Sequence, residues 1–262
     1  MPRRYEKRVT SKDPANSKRV ILYGVHPITE TVAAGKRKIR AIFLAREDAV
    51  SAELRRMISV GGGQVITVGT HELTRLCGSP NHQGVAAEVD PYPYSDLQDI
   101  LGGETGAAAC ILALDQVQDP FNLGSIIRSA ECLGAAGIAL TKNNSCAVTP
   151  AVEKTSAGAT AHIRIARVVN MARAIDEMKA AGFWVYGMDS KAAQNLYSLK
   201  LADKAAFVLG GEGSGLRRLV REQCDMTVSI PMQGRISSLN VSHAAAIALS
   251  EFGKRVHAGS VS

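Results

Sequence analysis

The run AAFVLGGEGSGLRRLV (205–220) passes from an apolar strand-like stretch through Gly210, Gly211, Gly213 and Gly215 into a helix read over 216–224. Glycines at a strand-to-helix turn let backbone amides approach a ligand closely, because no Cβ stands in the way. Two nucleotide fingerprints fail here. A G-x-G-x-x-G pattern counted from Gly211 needs glycine at 216 and meets Leu216. The phosphate-cradling G-x-x-x-x-G-K-[ST] fails because Gly210 and Gly215 are followed by Leu216 and Arg217. Taken alone, the run also reads as an ordinary tight turn in an α/β fold.

Outward from this turn the same alternation continues. Strands are expected at 109–115, 137–141, 163–168, 183–189, 205–210 and 226–231. Helices are expected at 122–133, 150–157, 171–181, 216–224 and 239–255. Strands and helices in turn predict an α/β domain with a mostly parallel sheet covered on both faces. Two further stretches put polar residues where apolar ones dominate. In DQVQDPFNLGSIIRSAECLGA (115–135), Asn122 stands at the helix start, where capping is the simple reading, and Arg128 sits among Ile126, Ile127, Ala130 and Leu133. In SIPMQGRISSLNVSHAAAIALSE (229–251), Ser237, Ser238, Asn240 and Ser242 crowd the mouth of an alanine-rich helix, more polar groups than capping requires.

The N-terminal part reads as a smaller α/β unit. VILYGVHPITETVAAG (20–35) suggests a strand, a turn at 24–27 and a helix. Strands at 41–45, 64–69 and 84–89 alternate with helices at 51–60 and 71–78. Residues 91–106, with two prolines and three glycines, read as a linker carrying a brief helix at 95–101. The division is therefore a basic tail at 1–19, a small α/β domain at 20–90, the linker at 91–106 and a second α/β domain at 107–262.

The 262 residues carry a net charge of +7, but the tail alone accounts for +5, so charge by itself says little about the body. No apolar run approaches the roughly 20 residues that span a bilayer, and the N-terminus lacks an apolar signal region. A cytoplasmic setting is expected, with a basic presequence as the alternative. The five cysteines form no CxxC pair and are odd in number, which argues for buried, reduced thiols and against a disulfide framework or a zinc site.

DPFNLGSIIRSAECLG, LGGEGSGLRR and IPMQGRISSLNVSHAAAIAL, in this order, resemble the three motif blocks of the SpoU (TrmH-class) RNA 2′-O-methyltransferases of the SPOUT superfamily. The likeness runs over roughly 107–255, and the YGVHPITETV start resembles their ribosomal-protein-like substrate-binding domain. The resemblance implies a C-terminal SPOUT domain with a deep trefoil knot, a feature essentially absent from proteins at large. It implies S-adenosylmethionine held mainly by backbone groups and a homodimer through the SPOUT domain that completes the site. Carried onto this chain, the cofactor contacts are Gly210, Ile230 and Leu239, with Gly211 and Gly213 shaping the turn. The reacting face falls to Arg128, Asn122, Glu212, Ser238 and Asn240.

The implied substrate is RNA, a guanosine of 23S ribosomal RNA first among the choices. A transfer-RNA methyltransferase of the same class and a catalytically idle RNA-binding assembly factor are the alternatives. Lys36, Arg37, Lys38 and Arg40 are candidate RNA contacts, as are Arg217 and Arg218; each set also reads as a solvated surface. His26 is a further candidate contact, whereas His162 and His243 read as structural. No metal is expected.

Overall fold

The computed structural model describes residues 19–46, 50–60, 64–103, 108–213 and 215–259. The tail up to residue 18, positions 104–106 of the expected linker and residue 107 at the start of the expected second domain lie outside them. The chain forms two compact units, one of residues up to Pro93 together with Ala147–His162, the other of Tyr94–Cys146 and the chain from Ile163 onward.

The first unit holds β1 (Val20–Tyr23), α1 (Val25–Ala34), β2 (Ile39–Leu44), α2 (Ala52–Val60), β3 (Gln64–Thr67), α3 (Thr70–Cys77) and β4 (Val85–Val89). Its four-stranded sheet has the order β1-β4-β2-β3; β4 runs antiparallel to both its neighbours, and β2 and β3 are parallel. Leu22, Ile28, Ile42, Leu54 and Val85 close one face under α1 and α2, and Ile21, Phe43, Leu73 and Ala86 the other under α3. The helix α1 begins at Val25, earlier than the sequence suggests, and takes Pro27 into its first turn. Proline is tolerated there because first-turn amides have no helical acceptor anyway.

In the second unit come α4 (Leu97–Leu101), β5 (Ala109–Asp115), α5 (Pro120–Cys132) and β6 (Gly137–Thr141). The chain then gives α6 (Pro150–Thr155), which belongs to the first unit and packs on β1 and α1. Back in the second unit are β7 (Ile165–Val168), α7 (Met171–Ala180), β8 (Trp184–Met188), β9 (Gln194–Asn195), β10 (Lys204–Gly210), α8 (Arg218–Gln223), β11 (Met226–Ser229) and α9 (Val241–Gly259).

The seven strands of this unit pair in parallel throughout, in the order β7-β6-β5-β10-β8-β11-β9. At the centre ACILALD (β5) is buried along its whole length, as a strand covered on both faces must be. Ile111, Ala113, Val185 and Val208 face a core completed by Ile100 of α4, Ile175 of α7 and Val220 of α8. On the opposite side α5 and α9 pack together and onto the sheet, with Leu123, Ile126, Ala245 and Leu249 buried. The short edge strand β9 was not anticipated; its two residues are too few to show a period.

Candidate active site

Three adjacent strands, β10, β8 and β11, end at the same side of the sheet, and the loops leaving them enclose a cavity of about 580 Å³. Ligands of parallel α/β sheets characteristically bind outside the carboxyl ends of the strands. The volume lies within the range of cofactor pockets, roughly 300–1,000 Å³. Gly210, Gly211, Gly213, Ile230 and Leu239 line it, together with Glu212, Ser238 and Asn240.

The turn after β10 is shaped by close approach. A Cβ on Gly210 would lie 2.1 Å from the carbonyl carbon and oxygen of Gly215, so no other residue fits without moving the backbone. Gly215 donates its amide to the Gly211 carbonyl at 3.0 Å, closing a small hairpin that turns the chain toward α8. Backbone groups and glycines therefore form the wall on that side, which suits a nucleoside-type cofactor such as S-adenosylmethionine held through main-chain contacts.

At the mouth of the cavity three side chains from three elements meet. The Asn122 amide donates to Glu212, and the Asn240 amide donates to Asn122 Oδ1 at 2.9 Å. The position of each follows from local structure. Asp119, not Asn122, caps α5, accepting from the amides of Phe121 at 2.6 Å and Asn122 at 3.4 Å. This corrects the capping reading of Asn122 and leaves its side chain for Glu212. Asn240 caps α9 through Oδ1, which accepts from Ser242 N at 2.8 Å and Ser242 Oγ at 2.7 Å, and its amide group is left to reach α5. Four polar residues at the helix mouth thus divide their work: Asn240 caps, Ser242 is buried against the cap, and Ser237 and Ser238 face the cavity.

Arg128 stands apart from this group. It is exposed on α5, six residues after Asn122, and makes no ion pair or hydrogen bond among the described residues. Six residues advance a helix by about 9 Å and turn it far from the starting face. Glu212 therefore orients Asn122 and not Arg128.

The basic candidates separate into different roles. Arg37 is 6% exposed and binds Glu153, itself 1% exposed, through Nη1 at 2.8 and 2.9 Å. Its Nε and Nη2 donate to the Asp90 carbonyl at 3.0 and 2.7 Å. Arg37 is thus turned into the first unit and is not an RNA contact, which corrects the sequence reading. Burial pushes the Glu153 carboxyl up to about 7, against the pull of Arg37. Lys36, Lys38 and Arg40 are exposed, Lys36 reaching the Ala161 carbonyl and Arg40 the Asp90 carboxylate. Arg218 is exposed and pairs with Glu222 one turn along α8. Arg217 grips Asp115, whose side chain is fully buried. His26 is exposed, and His162 pairs with Glu30 at 2.8 Å.

Several lining residues were not singled out from sequence. The loop after β8 contributes Met188, Asp189, Ser190 and Lys191, and Arg221 of α8 pairs with Asp189 at 2.8 Å. A polar Asp-Ser-Lys run directly after an apolar strand was the available signal. Among the cysteines Cys132 is exposed, unlike the buried thiol expected, because it ends α5. Among the described residues, no three His, Cys, Asp or Glu side chains cluster as metal ligands.

A parallel sheet whose strand ends and glycine turn line one cavity defines an α/β fold with a ligand site outside the carboxyl ends of its strands. More particularly, the chain belongs to the SpoU rRNA methylase family, which it matches over residues 109–250. Residues 21–95 match the substrate-binding domain of RNA 2′-O-ribose methyltransferases. A relative in Bacillus subtilis, YacO, named for the TrmH family of tRNA/rRNA methyltransferases, is 37% identical over 232 residues, 87% of this chain and 92% of its own. The 23S rRNA (guanosine-2′-O-)-methyltransferase RlmB of Xylella fastidiosa is 43% identical over 193 residues, 72% of this chain and 77% of its own. The SpoU methyltransferase AviRb of Streptomyces viridochromogenes, crystallised with S-adenosylmethionine, superposes with a TM-score of 0.82 at 26% identity, covering 98% of this chain and 97% of its own.

Proposed function

We propose that this enzyme methylates the 2′-hydroxyl of a guanosine in 23S ribosomal RNA, in the cytoplasm. The observation that carries the substrate is the 43% identity to a relative named for that reaction. S-adenosylmethionine, when bound, supplies a methyl group already activated by its sulfonium. The chain's own residues then have to hold the ribose oxygen in line and manage its proton; positioning of this kind contributes on the order of 7–11 kcal/mol.

In this reading Gly210, Ile230 and Leu239 hold the cofactor, with Gly211 and Gly213 shaping the turn. Glu212 and Asn240 fix the Asn122 amide beside it, and Ser238 lines the reacting face. Arg128 grips the target phosphate and stabilises the developing alkoxide. It does not act as a base, since a guanidinium keeps its proton in a protein. Its free, exposed guanidinium supports a ligand from outside the subunit. Its distance along α5 from Asn122 suits a site completed by a second copy of the chain through the SPOUT domain. The C-terminal segment is read as threaded into a trefoil knot, as the likeness to the SPOUT superfamily implies.

The test is transfer of a tritiated methyl group to ribosomal and to transfer RNA, followed by mapping of the 2′-O-methyl position. Label at one guanosine of 23S rRNA is expected. Label in transfer RNA alone would give the enzyme the other substrate of its class, and label in neither would leave an RNA-binding factor. Arg128→Lys keeps the charge and loses the planar fork, and should lower kcat by about 10²-fold or more. Near-full activity would remove Arg128 from the reaction.

A further inference from the structure

Arg217 and Asp115 form the best-satisfied charged pair beside the cavity, and neither is explained by RNA capture. Asp115 ends β5 with a fully buried side chain, and Arg217 Nε and Nη2 clasp both its oxygens at 2.6–3.1 Å. The same Asp115 is the parallel-ladder partner of Gly210, the last residue of β10 before the glycine turn. The turn that begins at Gly210 ends at Arg217, which opens α8. One residue of β5 thus stands opposite the turn's start through the sheet and holds its end through a two-pronged ion pair. Between these ends lie Gly211, Glu212, Gly213 and Gly215, all facing the cavity.

We infer that Arg217 and Asp115 are positioning residues that clamp the cofactor-binding turn in its receptive shape, so that Arg217 acts on cofactor affinity and not on RNA. The physical ground is pre-organisation: a loop of four glycines loses much conformational freedom on binding unless its ends are already fixed. A buried carboxylate also demands a charged partner, which ties the Arg217 guanidinium to Asp115 while 46% of the Arg217 side chain stays exposed. The inference rests on the cavity being the S-adenosylmethionine site.

The test uses the full-length protein, S-adenosylhomocysteine as calorimetric probe, and kinetics at varied S-adenosylmethionine. Two variants are compared, Arg217→Lys, which keeps the charge but not the fork, and the double variant Asp115→Asn with Arg217→Ala, which leaves no unpaired buried charge. The double variant should weaken probe binding about tenfold or more and raise KM for the cofactor alike, with Arg217→Lys in between. RNA affinity by filter binding should stay within about twofold of wild type, and any fall in kcat should come through Glu212, which the same turn carries. Unchanged probe affinity in either folded variant would overturn the clamp. So would weakened RNA binding with cofactor affinity intact, which would make Arg217 an RNA contact instead. Failure of the wild-type protein to bind the probe would strike the cofactor assignment and not the clamp.

Discussion

An asparagine side chain can present its amide or its oxygen, and at Asn122 two neighbours decide which. A carboxylate accepts only, so Glu212 draws the Nδ2 side, while the amide donated by Asn240 takes Oδ1. Replacing Asn122 by Asp would face one carboxylate with another and remove the donor. Asn122→Asp is expected to lower kcat by about 10²-fold in the methyl-transfer assay, with thermal stability near wild type. Retained kcat would take Asn122 out of the reacting group. The three members of this network were legible in the sequence because each interrupts an apolar or glycine-rich run. Arg37 and Arg217 were not, since their partners Glu153 and Asp115 lie 116 and 102 residues away in the chain. Charge clusters read by spacing alone look solvated until the fold supplies such a carboxylate.

At the scale of elements, α6 carries the most consequential charge. Glu153 has an ordinary carboxyl value of 4.5 when exposed and about 7 when folded, burial outweighing Arg37. Between these values the folded state holds a proton that the unfolded chain releases. Stability of the first unit should therefore fall as pH rises from about 4.5 to about 7 and level off above, by on the order of 1–3 kcal/mol. Urea midpoints measured across that range should slope downward in wild type and flatten in Glu153→Gln; equal slopes would refute the assignment. Apart from β9, helix and strand types were readable in the second unit, where buried strands are continuous apolar runs. Helix starts were less so: α5 opens at Pro120 because Asp119 caps it, and α9 opens at Val241 because Asn240 does.

For the whole molecule, charge is divided between a tail and local clusters. Arg19 is part of the folded unit, paired with Glu88 at 2.7 Å, so the stretch whose charge is tested by deletion is 1–18. Deleting it should leave cofactor affinity and the methylated nucleotide unchanged. It should also reduce the slope of log affinity for RNA against log salt, each lost phosphate contact removing about 0.7–0.9 of slope. A shifted methylation position would make the tail part of recognition. The parallel architecture of the second unit was legible from alternation. The membership of 147–162 in the first unit was not, because no local pattern tells a helix which sheet it will cover.

That segment also sets an order of events during synthesis. A ribosome releases the chain N-terminus first, and domains commonly fold as they emerge. Here the four strands of the first sheet leave the exit tunnel well before Val152 and Glu153 do. Until they arrive, β1 lacks the helix that covers it, and the Arg37 guanidinium lacks the Glu153 carboxylate, leaving it the Asp90 carbonyl and the Tyr92 ring. The N-terminal unit is thus the first to begin, yet its completion waits on β5, α5 and β6 of the other unit having been made.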